Sequence, residues 1–371
     1  MLLQNTSLDR PNNNLEPRLF AALEDIVNNV RIQDNFCIGH PSYKPLELPD
    51  EAVERLHNLP LDLQKKFVSS QLRSFLYGIY YNGSLKTALA IESEIPVNSQ
   101  NLENNTFLGI DLDFYEQIDN SNTGEGYFDE GWIVLREETD GAIAVFKNDL
   151  TVHIQRDLHL KSAEESITIG DSISIRLPKN LVQSGFYMAV GNAGIHSTQS
   201  SLSPLVRIYW SLSSAGAVAV MSSLTQQLNQ IDVPFTFKVL YNPLDYQRHD
   251  SGVLYFDRHH YQTVHPILQS VYTEHQSHFL AETPLFTKLL APGLGLAEEP
   301  NQKFIAIESF GLNRCQIIAN GLLMAHQQQD VSYEGRMSLI LEQFLLLGID
   351  IQKPYLNAES IDTYPTLDES I

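Results

Sequence analysis

Between Leu15 and about Ser84, apolar residues recur at intervals of three and four. The runs "LFAALEDIVNNV" and "QKKFVSSQLRSFLYGIYYNG" therefore read as amphipathic helices, the second closed by the turn signal Asn82-Gly83. Between them, "CIGHPSYKPLELP" holds three prolines, cannot continue a helix, and is expected to cross the surface in extended form. Residues Asn98 to Gly126 are rich in Asn, Ser, Gly and acids and mark a boundary, with "FLGIDLDFY" as a strand inside it. Beyond it the period shortens to two. "GWIVLRE", "GAIAVFK", "LTVHIQR", "DSISIRLP" and "FYMAVGN", separated by turn residues, predict an antiparallel sheet or small barrel. Next, "LVRIYWSL", "PFTFKVLY" and "GVLYFD" read as strands and "AGAVAVMSSLTQQLNQI" as a helix. Helical spacing returns over Tyr261 to Leu280, Cys315 to Gln329 and Arg336 to Leu347, and the acidic stretch ending "NAESIDTYPTLDESI" is expected to fray.

Strands that come in runs, without regular alternation with helices, predict an α+β fold: a mixed or mainly antiparallel sheet flanked by helices, with a helical N-terminal region. Three regions follow, helical over 1–95, β-rich over 96–200 and α+β over 201–371, the last carrying the chemistry; the three can form one compact unit. No fixed-period repeat is present.

Composition narrows the function. The chain has 371 residues, 43% of them hydrophobic, enough for a sizeable core. Twenty-four basic against 45 acidic residues give a net charge of -21, so a broad electrostatic grip on nucleic acid or an anionic membrane is not expected. Any anion must be held by a local cluster. The start "MLLQNTSLDRPNNN" lacks the features of a signal peptide, and Cys37 and Cys315 have no metal-ligand spacing; the expected location is the cytoplasm.

Several motifs can be set aside. "PGLGLAEEP" and "VGNAGIHS" lack the full phosphate-loop and dinucleotide patterns and read as turns. His259, His260, His265, His275 and His278 raise the question of a metal, but no His-Glu-x-x-His spacing occurs, and none is expected. Without a nucleophile elbow or a paired cysteine, hydrolysis through a covalent intermediate has no support. What remains is a set of cations. Arg207 and Tyr209 lie two apart on a strand and so share a face. Lys238 sits on a second strand, one helix later and expected beside the first. Arg248 follows a turn, Arg258 closes the next strand, and Arg314 opens a late helix, where backbone donors favour anions. Together they could form a cup for a phosphate monoester. The plainer alternative pairs each arginine with one of the abundant acids and lets Lys238 snorkel from a sheet edge.

At "RIYW", "FTFKVLYNPLDYQRHDSGVLYF" and "SFGLNR", the sequence resembles the HopA-type family of bacterial type III effectors and their homologues in peptide natural-product clusters. Further matches are "HPSYKPLELP", "LYGIYYNG", "GWIVLREETDGAIAVFK" and "SGFYMAVGN", so the likeness spans most of residues 15 to 350. The resemblance implies elimination of phosphate from phosphoserine or phosphothreonine in a ribosomally made precursor peptide, as in class V lanthipeptide and thioviridamide-like pathways, after a separate Ser/Thr peptide kinase has acted and without a cofactor. It makes Lys238 the base and Arg207, Arg248 and Arg314 phosphate ligands, and it puts Tyr209 where the more distant phosphothreonine lyases have a histidine acid. Arg258 has no counterpart in that pattern. A phenol titrates near pH 10 and is a weaker acid than imidazolium. Only a neutral lysine can accept a proton, a form that burial among cations favours. Relatives in pathogens also suggest a reading without chemistry, in which the cluster only binds an anionic peptide or protein.

Overall fold

The computed structural model describes residues 15–91, 106–107, 109–162, 167–195 and 204–368. The chain start and the first part of the expected boundary lie outside the described residues. Helix α1 (Pro17–Asn29) is followed by strands β1 (Arg31–Ile32), β2 (Ile38–His40) and β3 (Tyr43–Leu46), then α2 (Asp50–His57) and α3 (Leu61–Leu76). Next come β4 (Thr106–Phe107), β5 (Ile110–Asp111), α4 (Leu112–Ser121), β6 (Tyr127–Glu137), β7 (Ile143–Lys147), β8 (Leu150–Ile154), α5 (Arg156–His159) and β9 (Ser172–Leu177). The remainder is β10 (Asn180–Gln183), β11 (Phe186–Val190), β12 (Leu205–Trp210), α6 (Ser214–Gln230), β13 (Phe235–Leu240), β14 (Gly252–Asp257), α7 (Tyr261–His275), β15 (Lys288–Ala291), β16 (Leu294–Glu298), α8 (Phe310–Gln327) and α9 (Tyr333–Leu346).

The fold is α+β. Its centre is a seven-stranded sheet in the order β10-β11-β13-β14-β12-β16-β15, with every neighbouring pair antiparallel. Because side chains alternate along each strand, the register sorts them into two faces. Trp210, Phe237 and Phe256 lie on one face: Trp210 packs on Phe237 and Phe279, and Phe256 stacks on Tyr261 at the start of α7. The other face carries Tyr209, which meets Tyr81 and the first residue of α8, Phe310. Helices thus cover both faces, and a single large core runs through the sheet. A smaller core around Trp132, Val145 and Ile175 belongs to the four-stranded sheet β8-β7-β6-β9.

Several expectations change. Among its described residues "FLGIDLDFY" is strand only at Phe107, which ends β4, and over Ile110–Asp111; Asp111 then caps α4 by accepting from the Phe114 amide at 2.9 Å, and Phe114 and Ile118, one helical turn apart, are buried. In "CIGHPSYKPLELP" the chain is extended, but Cys37, Ile38 and His40 are buried: Ile38 belongs to the core that includes Leu72 and Phe75 of α3, and His40 lies against the Phe75 ring. "PGLGLAEEP" is a turn only at Gly293 (φ +77°) and continues as β16, whose residues are all buried. β12 and β13 are not neighbours, since β14 lies between them. The acidic C-terminal stretch does not fray within the described residues. Tyr355, Leu356, Tyr364 and Leu367 are buried, and the Leu367 amide donates to the Leu290 carbonyl at 3.0 Å.

Candidate active site

The strand run "FTFKVL" alternates so that Phe237 and Val239 enter the core while Lys238 faces the other way. In the ladder Lys238 lies opposite Val253 and Met188, Arg207 opposite Tyr255, and Phe186 opposite Leu240. Directly paired residues share a face, which gathers Arg207, Tyr209, Lys238, Tyr255 and Phe186 on one side of four strands. There the side chains interleave. The Lys238 Nζ sits 4.2 Å from the Phe186 ring centroid and 5.5 Å from that of Tyr255. The Arg248 guanidinium is 5.6 Å from the same Phe186 ring, and that of Arg207 is 5.0 Å from the same Tyr255 ring. The result is a row of cation, ring, cation, ring, cation held by π faces.

The three cations differ in their partners. Arg207 pairs with Glu299, which Lys303 also holds at 2.6 Å. Arg248 makes a two-point contact with Asp250, Nε at 2.9 Å and Nη2 at 3.0 Å. Among the described residues Lys238 has no carboxylate or hydrogen-bonding partner.

A π-helical turn, Tyr77–Tyr81, closes the row from above. It continues α3 and ends where the Asn82 amide donates to the Tyr77 carbonyl at 3.0 Å, and Gly83 (φ +75°) lets the chain reverse. The turn presents Tyr77 and Tyr81 together, stacked at 4.9 Å. The Tyr77 hydroxyl donates to Asp250 at 3.2 Å and the Asn82 amide donates to the same carboxylate at 3.4 Å, so Asp250 ties the turn to Arg248. Tyr81 meets the Tyr209 ring edge-on at 6.3 Å. Tyr209 is 2% exposed, and its phenol oxygen is buried without a hydrogen-bond partner among the described residues. Such an orphan is rare in a folded interior. Burial pushes the phenol up from its usual range, partly offset by the Arg207 guanidinium, so Tyr209 is protonated at neutral pH.

Arg258 and Arg314 are engaged elsewhere. Arg314 does not open its helix: α8 begins at Phe310 with Ser309 as its cap, which places Arg314 in the second turn. It is buried over the Phe310 ring and donates to the carbonyls of Pro354 at 2.7 Å and Leu356 at 2.9 Å; burial pushes its guanidinium down to about 10. Arg258 pairs with Glu298 at 3.2 Å and donates to the Ser360 hydroxyl at 2.8 Å and the Ile361 carbonyl at 2.5 Å. Both arginines thus anchor the C-terminal segment, and Glu298, fully buried, accepts from Tyr364 at 2.7 Å, Ser360 at 2.7 Å and the Asn357 amide at 3.0 Å. Among the histidines, His259 lies 2.5 Å from Asp257 and His275 lies 2.6 Å from Ser223. No group of three His, Cys, Asp or Glu among the described residues could hold a metal ion.

A model of the HopA1 effector protein family matches residues 177–356, the stretch that supplies the row of cations and both arginine anchors. These residues belong to the HopA1 effector family. Two solved structures are similar to the chain. One is an effector protein from Pseudomonas syringae pv. syringae strain 61, at 14% identity and TM-score 0.42, covering 92% of this chain and 98% of that one. The other is an effector protein from Pseudomonas syringae pv. tomato strain DC3000, at 17% identity and TM-score 0.39, covering 67% and 81%. No curated protein matches.

Within the HopA1 region the sequence pattern singled out Arg207, Tyr209, Lys238 and Arg248, which the sheet brings together. It missed Phe186, Tyr255, Asp250 and Glu299, whereas Tyr81, from outside the region, reaches the site on the π-helical turn. Tyr255 is two residues from Val253, the partner of Lys238, and therefore on its face; that signal becomes visible only once β14 is placed between β12 and β13. No helix among the described residues is long and apolar enough to cross a membrane.

Proposed function

We propose that this protein is a phospho-lyase that removes phosphate from phosphoserine or phosphothreonine in a ribosomally made precursor peptide, after a separate Ser/Thr kinase has added it. The observation that supports this reading is Lys238, an amine without a carboxylate partner, set between two rings whose other contacts are Arg207 and Arg248. In the reaction the Lys238 amine takes the α-proton and the freed pair forms the Cα=Cβ bond. The Cβ–O bond breaks with its electrons on the departing phosphate. Arg207 and Arg248 exchange Glu299 and Asp250 for the phosphate oxygens, stabilising the charge that develops there. Tyr209, kept protonated by burial, donates a proton or hydrogen bond to the leaving oxygen once the rings of Tyr81 and Phe310 give way. The products are dehydroalanine or dehydrobutyrine and phosphate, and the balance needs no cofactor.

Mass spectrometry of a phosphothreonine peptide after incubation should show loss of phosphoric acid and a residue that adds a thiol. Lys238→Ala and Lys238→Arg should both abolish that loss, while the arginine variant keeps affinity for the phosphorylated peptide. Elimination that survives in Lys238→Ala would end the assignment. The second reading, binding without chemistry, draws on the pairing of Arg207 with Glu299 and Arg248 with Asp250 and on the covered Tyr209. It predicts an unchanged peptide, bound more tightly when phosphorylated.

A further inference from the structure

Behind the row, α1, the π-helical turn, His249 in the loop before β14 and the segment between α7 and β15 line an open cavity of about 280 Å³. Its walls include Arg18, Asp25, Tyr80, Lys86, His249 and Glu282. Three of these are already committed: Arg18 donates to the Thr283 hydroxyl at 2.9 Å and the Pro284 carbonyl at 2.8 Å, and Asp25 accepts from Tyr80 at 2.7 Å. The others are available. His249 Nδ1 is buried without a hydrogen-bond partner among the described residues, and Lys86 and Glu282 stand exposed at the mouth with opposite charges. A volume at the lower limit of small-molecule pockets suits a few side chains better than a cofactor.

The cavity shares its walls with the row of cations. His249 lies between Arg248 and Asp250, and its amide donates to the Asn82 carbonyl at 2.9 Å. Ile79 and Tyr80 line the cavity, while Tyr77 and Tyr81 of the same turn face the row.

We propose that this cavity is an exosite for the peptide whose phosphorylated residue occupies the row, and that it takes a segment carrying adjacent acidic and basic side chains, the acid toward Lys86 and the base toward Glu282. The proposal rests on the peptide reading of the row, and binding separates the two. The probes are a phosphothreonine peptide flanked on both sides by alternating glutamate and lysine and the same peptide flanked by glycine and serine, each also without phosphate. Measured by fluorescence anisotropy at about 0.15 M salt, the charged peptide should bind about tenfold more tightly than the Gly/Ser peptide, with or without phosphate. Lys86→Glu or Glu282→Lys alone should remove that advantage, and the double reversal should restore it. Ala22→Trp, which fills the cavity without changing charge, should remove it too, in a protein whose melting curve is still cooperative. Equal affinities for the two flanks, or an advantage that both single reversals leave intact, would overturn the exosite. An advantage that persists while phosphate adds nothing in either peptide would instead overturn the reading of the row.

Discussion

Tyr255 shows how a single residue can set the spacing of the row. Its ring is the common support for Lys238 and Arg207, at 5.5 and 5.0 Å, while its neighbours Leu254 and Phe256 point into the core on the opposite face. The contribution comes from the π face, worth about 0.5–2 kcal/mol for each cation. Tyr255→Phe should therefore keep elimination or phosphopeptide binding within a few fold of the wild type, and Tyr255→Leu should weaken it about tenfold or more; titration of a phosphopeptide against both variants checks this. His249 makes a different kind of prediction. Burial lowers its imidazole, with Lys86 and Arg18 in the same direction and Glu282 and Asp250 opposing. The folded protein therefore keeps His249 neutral to lower pH than the unfolded chain, whose histidines titrate near 6.5. Below that pH the unfolded state binds the extra proton, so stability falls as the pH drops from about 6.5 toward the lowered folded value. Melting curves between neutral and mildly acidic pH should decline less steeply for His249→Gln than for the wild type.

At the scale of elements, the π-helical turn and α8 fit together through one glycine. A Cβ on Gly311 would lie 2.3 Å from the Tyr81 ring, and that ring is fixed against Tyr209, Phe286 and Phe310. Gly311→Ala should cost about 1–3 kcal/mol in chemical denaturation, as overpacked cores do, and should weaken peptide binding by displacing Tyr81. Little of this was legible in the sequence. The helical run ending at Asn82-Gly83 was readable from its period of three and four, yet nothing in "YGIYYNG" specifies an i to i+5 hydrogen bond. The alternation of "RIYW" was enough to place Arg207 and Tyr209 on one face, because period two depends only on the strand; that Lys238 shares this face depends on the register through β14. Which strand lies between them depends on long-range pairing, which a one-dimensional pattern does not encode. β16 escaped for a related reason: "LGLAE" is short and glycine-bearing, and its strand conformation is stabilised by β12 and β15 on either side.

For the whole molecule, the C-terminal segment is part of the sheet's support. Lys288 holds Asp362 at 2.8 Å, Arg314 holds two carbonyls, and Glu298 collects donors from Asn357, Ser360 and Tyr364. Composition alone predicts fraying here, since acids seek solvent; the buried tyrosines and the cations at 258, 288 and 314 reverse that. Removing one partner of a buried charge costs about 3–5 kcal/mol. Glu298→Ala should lose about that much in a urea titration, and deletion of residues 349–368 should abolish cooperative unfolding altogether. The same arrangement bears on how the protein is made. Ser360 follows Glu298 by 62 residues, so at about 5–20 residues per second the ribosome delivers that partner about 3–12 seconds after the carboxylate it satisfies. Until then the Glu298 carboxylate has Arg258 as its ion-pair partner but lacks the hydroxyl and amide donors of Asn357, Ser360 and Tyr364: the protein has a built-in delay between forming its strands and completing the hydrogen bonds of its buried acid.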